Sequence, residues 1–311
     1  MSKLLRAIIV LGLVVGAALL ALGAVAHWYP ALDIINNGLP LLAVGGIVLL
    51  ALAFAARRRP LISATAALLA VTFAVLLAGL SGAAPQAPED AERFMRVATF
   101  NLWDRDDRHL DRVAESLADT KADAIVLEEV RGHHAAFIDS LAAQYPYRVG
   151  DNGLVILSKH PIVADGRVDR DDEPFWMSLI IRWVRLDVNG KTVELAGVHL
   201  ARPFYPELQW ADIEALTNFV RGRTGPLIVA GDFNAAPWTV MLKAFTKETG
   251  LGRFNTFYPT WPMRWRSVPL LPLIPIDNVF ASSHFAKIAA TVGLRLDSDH
   301  RAVIADIALI E

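Results

Sequence analysis

The sequence predicts an α/β domain of two packed mixed sheets flanked by helices, preceded by three transmembrane helices. Three observations predict it. Apolar residues crowd into the first 80 positions, an Ala-, Pro- and Gly-rich stretch follows, and from residue 95 onward short apolar strands alternate with a few amphipathic helices.

The membrane region comes first. Mean hydropathy is +0.38, high for a soluble enzyme. Residues 7–26, 38–56 and 61–80 carry no charged side chain, and a helix of about 20 apolar residues spans roughly one hydrocarbon core. Three such runs in succession argue against ordinary buried core helices. Lys3 and Arg6 precede the first run, and Ala24-Val25-Ala26 resembles a signal-peptidase site. The run is longer than a usual signal core, which favours a retained anchor. Basic residues stay in the cytoplasm, so Lys3 and Arg6 hold the N-terminus inside and Arg57-Arg58-Arg59 hold the second tight loop there. The chain is then expected as a multi-pass protein of a bacterial inner membrane. Everything beyond residue 80 would face the periplasm.

Residues 81–94 read as a linker, opening with SGAAPQAPED. Residues 95–311 read as the catalytic domain. Strands are expected at 96–102, 124–127, 153–158, 176–187, 192–200, 227–230, 276–281, 288–294 and 302–310, with an Asn189-Gly190 hairpin turn. Helices are expected at 109–121, 133–144, 206–223 and 239–249, where apolar residues recur at helical spacing. The chain has no cysteine, which excludes a disulfide framework, thiol chemistry and a thiolate metal site.

Polar clusters sit at the ends of the apolar strands. Gly231-Asp232-Phe233-Asn234 follows strand 227–230; on an extended segment Asp232 and Asn234 share a face and Phe233 turns away. Glu128-Glu129 follows strand 124–127, and alternation places only one of the two carboxylates on the site side. A carboxylate at the mouth of a sheet is a natural ligand for a hard cation. Asn101 ends the first strand, His199 ends another, and Asp277-Asn278 and Ser298-Asp299-His300 come last. Each motif alone has an ordinary reading as a cap, a turn or a structural histidine.

In order, the motifs TFNLW, VLEEV, GVHL, GDFN, IDNVF and SDHRAV resemble the endonuclease/exonuclease/phosphatase superfamily, across residues 96–304. The resemblance implies a four-layer α/β/β/α sandwich and a metal-dependent phosphoester hydrolase of the nuclease and phosphodiesterase class. It implies Mg²⁺ or Mn²⁺ on Glu129, with Asn101 and Asp299 close to the ion. It makes Asp232 the residue that orients or deprotonates the attacking water, with Asn234 holding Asp232 and the phosphate. His300, oriented by Asp277, would bind phosphate, and His199 would contact a phosphate oxygen or assist the leaving group. Three departures stand out. Glu128 replaces the family's usual Gln and is expected to add negative charge near the metal. Asn278 stands where many members carry His or Tyr. The partner that orients the His199 position would here be Asp151, Asn152 or absent.

The substrate is less legible. Residues 1–81 hold five basic side chains and one acidic, Asp33; the whole chain carries −2, so residues 82–311 carry −6. A domain that grips long nucleic acid usually has a basic surplus, leaving only a local groove with Arg202, Arg264 and Arg266 as candidates. The loop 257–276 carries Trp261, Trp265, Leu270, Leu271, Leu273 and Ile274 beside two arginines, a composition suited to a membrane interface. A phosphodiester in nucleic acid and one in a lipid headgroup are therefore both expected substrates. A non-catalytic scaffold would predict decay of the motif residues, yet they are intact. No feature points to a protein partner.

Overall fold

The structure is a computed structural model and describes residues 3–104, 110–169, 179–265, 268–293 and 298–310. Four helices open the chain: α1 (Lys3–Ala24), α2 (Asp33–Asn37), α3 (Leu39–Ala55) and α4 (Arg59–Ala78). By length and composition α1 and α4 can each cross a membrane; α3 qualifies only together with Pro30–Asn37, from which it bends by 53°. The three expected spans thus become two full helices and one bent element. Pro40 lies in the first turn of α3, where its missing N–H costs nothing, and the break falls two residues before it, at Gly38.

The following domain runs β1 (Met95–Asn101), α5 (Leu110–Asp119), β2 (Ala124–Val130), α6 (Ala135–Ser140), β3 (Tyr147–Val149), β4 (Gly153–Ser158) and β5 (Ile162–Asp169). It continues through β6 (Leu179–Val188), β7 (Lys191–His199), α7 (Pro206–Arg221), β8 (Leu227–Asp232), α8 (Val240–Thr249) and β9 (Gly252–Arg253). A small hairpin of β10 (Arg264–Trp265) and β11 (Val268–Pro269) precedes β12 (Asp277–Ala281), β13 (Phe285–Val292) and β14 (Val303–Leu309). One six-stranded sheet has the order β13-β14-β1-β2-β4-β3, the other β5-β6-β7-β8-β12-β9. Each is mixed, with one parallel pair, β1 with β2 and β7 with β8.

Alternation along these strands builds three cores. Val97, Val126, Ile156, Val193, Ile228, Val279 and Val303 meet between the sheets. Phe100, Ile125 and Leu127 turn to the opposite face and pack under Val113 and Leu117 of α5 and Phe137 of α6. Val229, Phe233 and Phe280 pack under Ile213 and Leu216 of α7 and Met241 and Phe245 of α8. This is the expected four-layer sandwich.

Details differ from the sequence reading. The helix expected at 133–144 is a 3₁₀ turn, Gly132–His134, followed by six residues of α6. The strand β5 carried no apolar signal. It is an edge strand whose residues alternate between half-buried and exposed, with Asp165, Gly166 and Arg167 at its centre, and two bulges twist it along β6. The expected hairpin turn forms, with Asn189 and Gly190 both at positive φ and the Asp187 carboxylate accepting from Gly190 N–H at 2.7 Å. The starts of the strand at 176–178 and of the helix at residue 109, and the end of the strand at Leu294, lie outside the described residues, as does Arg266.

Between α4 and β1 the chain is stitched to the domain. Ala84 N–H donates to Arg253 O and Arg253 N–H to Gly82 O, each at 2.8 Å, and Lys287 exchanges the same kind of bonds with Pro85 and Ala87. The Arg253 side chain is buried and donates to Gly79 O.

Candidate active site

The inner-face alternation that fills the core also delivers the polar residues to one end of it. On β8, Ile228 and Ala230 point between the sheets, and Asp232 is next in that series. On β12, Val279 and Ala281 lead back to Asp277, and on β7 Val193 and Leu195 lead through Gly197 to His199. On β1, Val97 leads through Thr99 to Asn101. Gly197 is needed because a Cβ there would lie 2.7 Å from Val126 Cγ1 on the opposite sheet.

Strand β2 departs from this rule. Ala124 and Val126 predict that Glu128, not Glu129, faces the site. A bulge between Glu128 and Val130, with Glu129 at φ +55, turns the second carboxylate back toward the other site residues. Glu128 is fully buried and accepts a hydrogen bond from the Thr99 hydroxyl. Burial pushes its carboxyl well above the ordinary range, the Thr99 bond opposing, which favours the protonated form. The raised carboxyl works against the expected extra negative charge, and a protonated Glu128 resembles the amide it replaces. Glu128→Gln is expected to keep the melting temperature and turnover of the native chain; a large loss of either would show that the carboxylate is needed ionised.

The cluster is tight. Asn101 Nδ2 lies 3.4 Å from Glu129 Oε1 and 3.2 Å from Asp232 Oδ2. Its Oδ1 accepts from Trp103 N–H at 2.9 Å. Glu129 also accepts from Asp104 N–H at 3.1 Å and from Arg202 Nη2 at 3.0 Å. His199 Nε2 is 3.8 Å from both Glu129 Oε1 and Asp232 Oδ2. His300 Nδ1 bonds Asp277 Oδ2 at 2.9 Å, while its Nε2 lies 3.8 Å from Asp232 Oδ2 and 3.8 Å from Asp299 Oδ1. Ser298 fastens this last loop to β1, its hydroxyl donating to Asn101 O at 2.7 Å and accepting from His300 N–H at 3.0 Å. All eight sequence-named residues, Asn101, Glu129, His199, Asp232, Asn234, Asp277, Asp299 and His300, are thus brought to one end of the inter-sheet core.

Asn234 arrives differently from the expectation. The extended segment stops at Asp232, and Asn234 is left-handed at φ +50, so the shared-face argument does not hold there. Its main-chain N–H donates to Asp232 Oδ1 at 2.8 Å, and its side-chain amide donates to Leu200 O at 2.9 Å. Phe233 does turn away, into the α7–α8 core.

Electrostatics separates the groups by their hold on a proton. Burial lifts Asp232 to about 7, reinforced by Asp277 and opposed by His300. Burial opposes the charged form of His300, but Asp277 and Asp232 raise it well above the ordinary value, so the imidazolium is doubly protonated. Burial lowers His199 to about 4 against the pull of Glu129, leaving it neutral near pH 7. Burial also opposes ionisation of Glu129, yet His199, Arg202 and the Asp104 N–H hold it to about 2. With His199 neutral, the permanent counter-charge to Glu129 is Arg202. Burial raises Asp299, opposed by His300 and a Trp261 Nε1 hydrogen bond at 3.2 Å.

Asp151 is exposed and lies 4.0 Å from Arg182, its Oδ1 accepting from Asn152 N–H, so its ion pair is with Arg182. Of the three arginines considered for a groove, Arg202 is at the site and Arg264 stands over the Trp103 ring at 5.7 Å. Residues of the N-terminal helices that reach the site loop carry no signal in the motifs.

The chain belongs to the Endonuclease/Exonuclease/phosphatase family, whose model matches residues 98–300, and whose members are hydrolases acting on phosphoesters. No curated protein matches the sequence. Among solved structures, the chain is similar to an endonuclease/exonuclease/phosphatase from Beutenbergia cavernae DSM 12333, at 25% identity and TM-score 0.58, covering 70% of this chain and 72% of that one. It shares its fold with a beta toxin from Staphylococcus aureus with bound magnesium ions, at 14% identity and TM-score 0.55, over 68% of this chain and 99% of that one. Sphingomyelinase C from Streptomyces griseocarneus is similar at 16% identity and TM-score 0.52, over 68% and 98%.

Proposed function

We propose that the chain is a membrane-anchored, divalent-metal-dependent phosphodiester hydrolase with its domain on the extracytoplasmic side. The observation that carries this reading is the convergence of four carboxylates, two imidazoles and two amides on one end of the inter-sheet core. The donor set fits Mg²⁺ or Mn²⁺: it offers oxygen and imidazole nitrogen without thiolate, and Asp299 Oδ1 is buried with no hydrogen-bond partner among the described residues. Glu129, Asn101 and Asp299 would hold the ion, which when bound neutralises charge on phosphate oxygens.

The protein's own groups supply the rest. Asp232, basic enough at about 7 and held by Asn234 N–H, takes the proton of the attacking water. His300 spends Nδ1–H on Asp277 and presents Nε2–H to a phosphate oxygen, where negative charge grows. Neutral His199 offers a second contact to phosphate, and Arg202 adds a fixed positive charge at the rim. With the full chain in detergent micelles and bis(p-nitrophenyl) phosphate as substrate, turnover is expected with Mg²⁺, to vanish with EDTA, and to return with excess Mg²⁺ or Mn²⁺. Turnover indifferent to EDTA would overturn the metal assignment.

A second reading makes the substrate a phosphodiester in a lipid headgroup. Trp261, whose indole bonds Asp299, belongs to one apolar cluster with Ile274, Ile276, Leu20 of α1, Leu42 of α3 and Leu76 of α4. These helix residues lie about one turn inside the helix ends, so this side of the site sits at headgroup depth. Leu271, two residues from Leu273 in that cluster, is 78% exposed. Phospholipid vesicles, DNA and RNA offered in parallel separate the two substrates: preferential turnover of vesicles supports the lipid reading, and turnover of nucleic acid alone removes it.

A further inference from the structure

The helix-break segment between α1 and α3 contains the only acidic residue of the membrane region, Asp33, with Asn36 and Asn37 close behind. All three are buried. Buried polar groups need partners, and here most of those partners lie about 200 positions away. Asp33 Oδ1 accepts from Val240 N–H and Oδ2 from Met241 N–H, each at 2.9 Å, capping the first turn of α8 from outside that helix. Asn36 O accepts from Trp238 Nε1 at 2.7 Å. Asn37 Oδ1 accepts from Ala236 N–H at 2.8 Å, and its Nδ2 donates to Asn234 O at 3.4 Å. Helix α1 makes room for this: a Cβ on Gly23 would lie 2.4 Å from Asn36 Oδ1. Leu39 adds an apolar contact to Ala236 and Trp238.

Asn36 Nδ2 donates within the N-terminal region, to Gly23 O at 3.1 Å and Asp33 Oδ1 at 2.7 Å; the distant contacts all fall on residues 234–241, the stretch that continues Gly231-Asp232-Phe233-Asn234 into α8. Asn234 holds an unfavourable left-handed backbone. Its carbonyl is fixed by Gln209 Nε2 at 3.0 Å and by Asn37, and its N–H fixes Asp232. We propose that Asp33 and Asn37 of the membrane region are positioning residues of the hydrolytic site, holding the left-handed turn at Asn234 and through it the Asp232 carboxylate. The membrane segment is then a working part of the site and not only its tether. This inference rests on the reading of Asp232 given above.

The test uses the full chain in detergent micelles with bis(p-nitrophenyl) phosphate and Mg²⁺. Asn37→Ala and Asp33→Asn are expected to lower kcat roughly tenfold with KM unchanged, since small misplacements of a catalytic group cost rate more than binding. Amide hydrogen exchange is expected to rise at residues 234–241 and to stay constant in β1 and β7. Asn37→Asp, which keeps the acceptor for Ala236 N–H, is expected to recover part of kcat. Tyr29→Ala, on the exposed turn before the same segment, is expected to match the native chain. An unchanged kcat in Asn37→Ala overturns the proposal. So does a kcat loss that disappears when rate is counted per folded molecule. If instead Asp232→Asn retains native turnover, it is the underlying assignment of Asp232 that fails.

Discussion

Asp232→Asn is expected to lower kcat by about 10³, within the range that general base catalysis contributes, while leaving KM within a fewfold. The substitution keeps shape and keeps an acceptor for Asn234 N–H, now 2.8 Å away. What it removes is the group that can take a proton. The neighbours make that loss hard to bypass. Glu129 is held to about 2 and is too weak a base, His199 sits at about 4, and His300 is already protonated. Asp277 is engaged by His300 Nδ1. Asp232, lifted to about 7, is poised near neutrality with a proton still to accept. The measurement is steady-state kinetics of the full chain with metal saturating, together with a thermal melt. Removing a buried carboxylate crowded by Asp277 is expected to hold or raise stability, because it relieves desolvation and like-charge repulsion. Native turnover in a folded Asp232→Asn chain would remove Asp232 as the base.

Much of this site was legible in the sequence because strand alternation and motif order carry the information. Asn101, His199, Asp232 and Asp277 each extend an inward-facing apolar series, and that periodicity is visible without a structure. What was not legible depends on backbone that leaves the pattern. Glu129 reaches the site only through a bulge at φ +55, and alternation alone selects Glu128. Asn234 was expected in line with Asp232 but turns left-handed. The charge of Glu128 could not be read because it depends on complete burial, which is a property of the packed sheets. Edge strand β5 carries little signal because an edge needs little apolar surface. The contacts of Asp33, Asn36 and Asn37 were hidden for a different reason. They join positions about 200 residues apart, and no local signal in an apolar N-terminal segment announces a polar partner that distant.

Gly231→Ala is the substitution expected to cost most in stability. Gly231 sits at φ +151, a conformation open almost only to glycine, and a Cβ built there would lie 1.9 Å from Val198 O. That oxygen belongs to β7, the parallel neighbour that Gly231 pairs with directly through Val198. The obstacle is backbone and not the tip of a flexible side chain, so relief requires β7 and β8 to separate or Gly231 to change conformation. Either movement shifts Asp232, His199 and the turn at Asn234 together. The cost is expected to reach at least about 4 kcal/mol, the level reserved for severe core defects. For a domain of this size that corresponds to a fall in melting temperature on the order of 10 °C. The check is a tryptophan-fluorescence melt of the full chain, which carries eight tryptophans. Gly225→Ala is the matched control, since a Cβ there meets nothing within 4 Å and Ala before Pro226 suits extended backbone. It is expected to be neutral or slightly stabilising. If Gly231→Ala melts with the native chain, then β7 and β8 tolerate the separation and the glycine is not what holds Asp232 beside His199. If it melts low and is inactive, as expected, one missing methyl group keeps the two strands close enough for their terminal side chains to act on one phosphate.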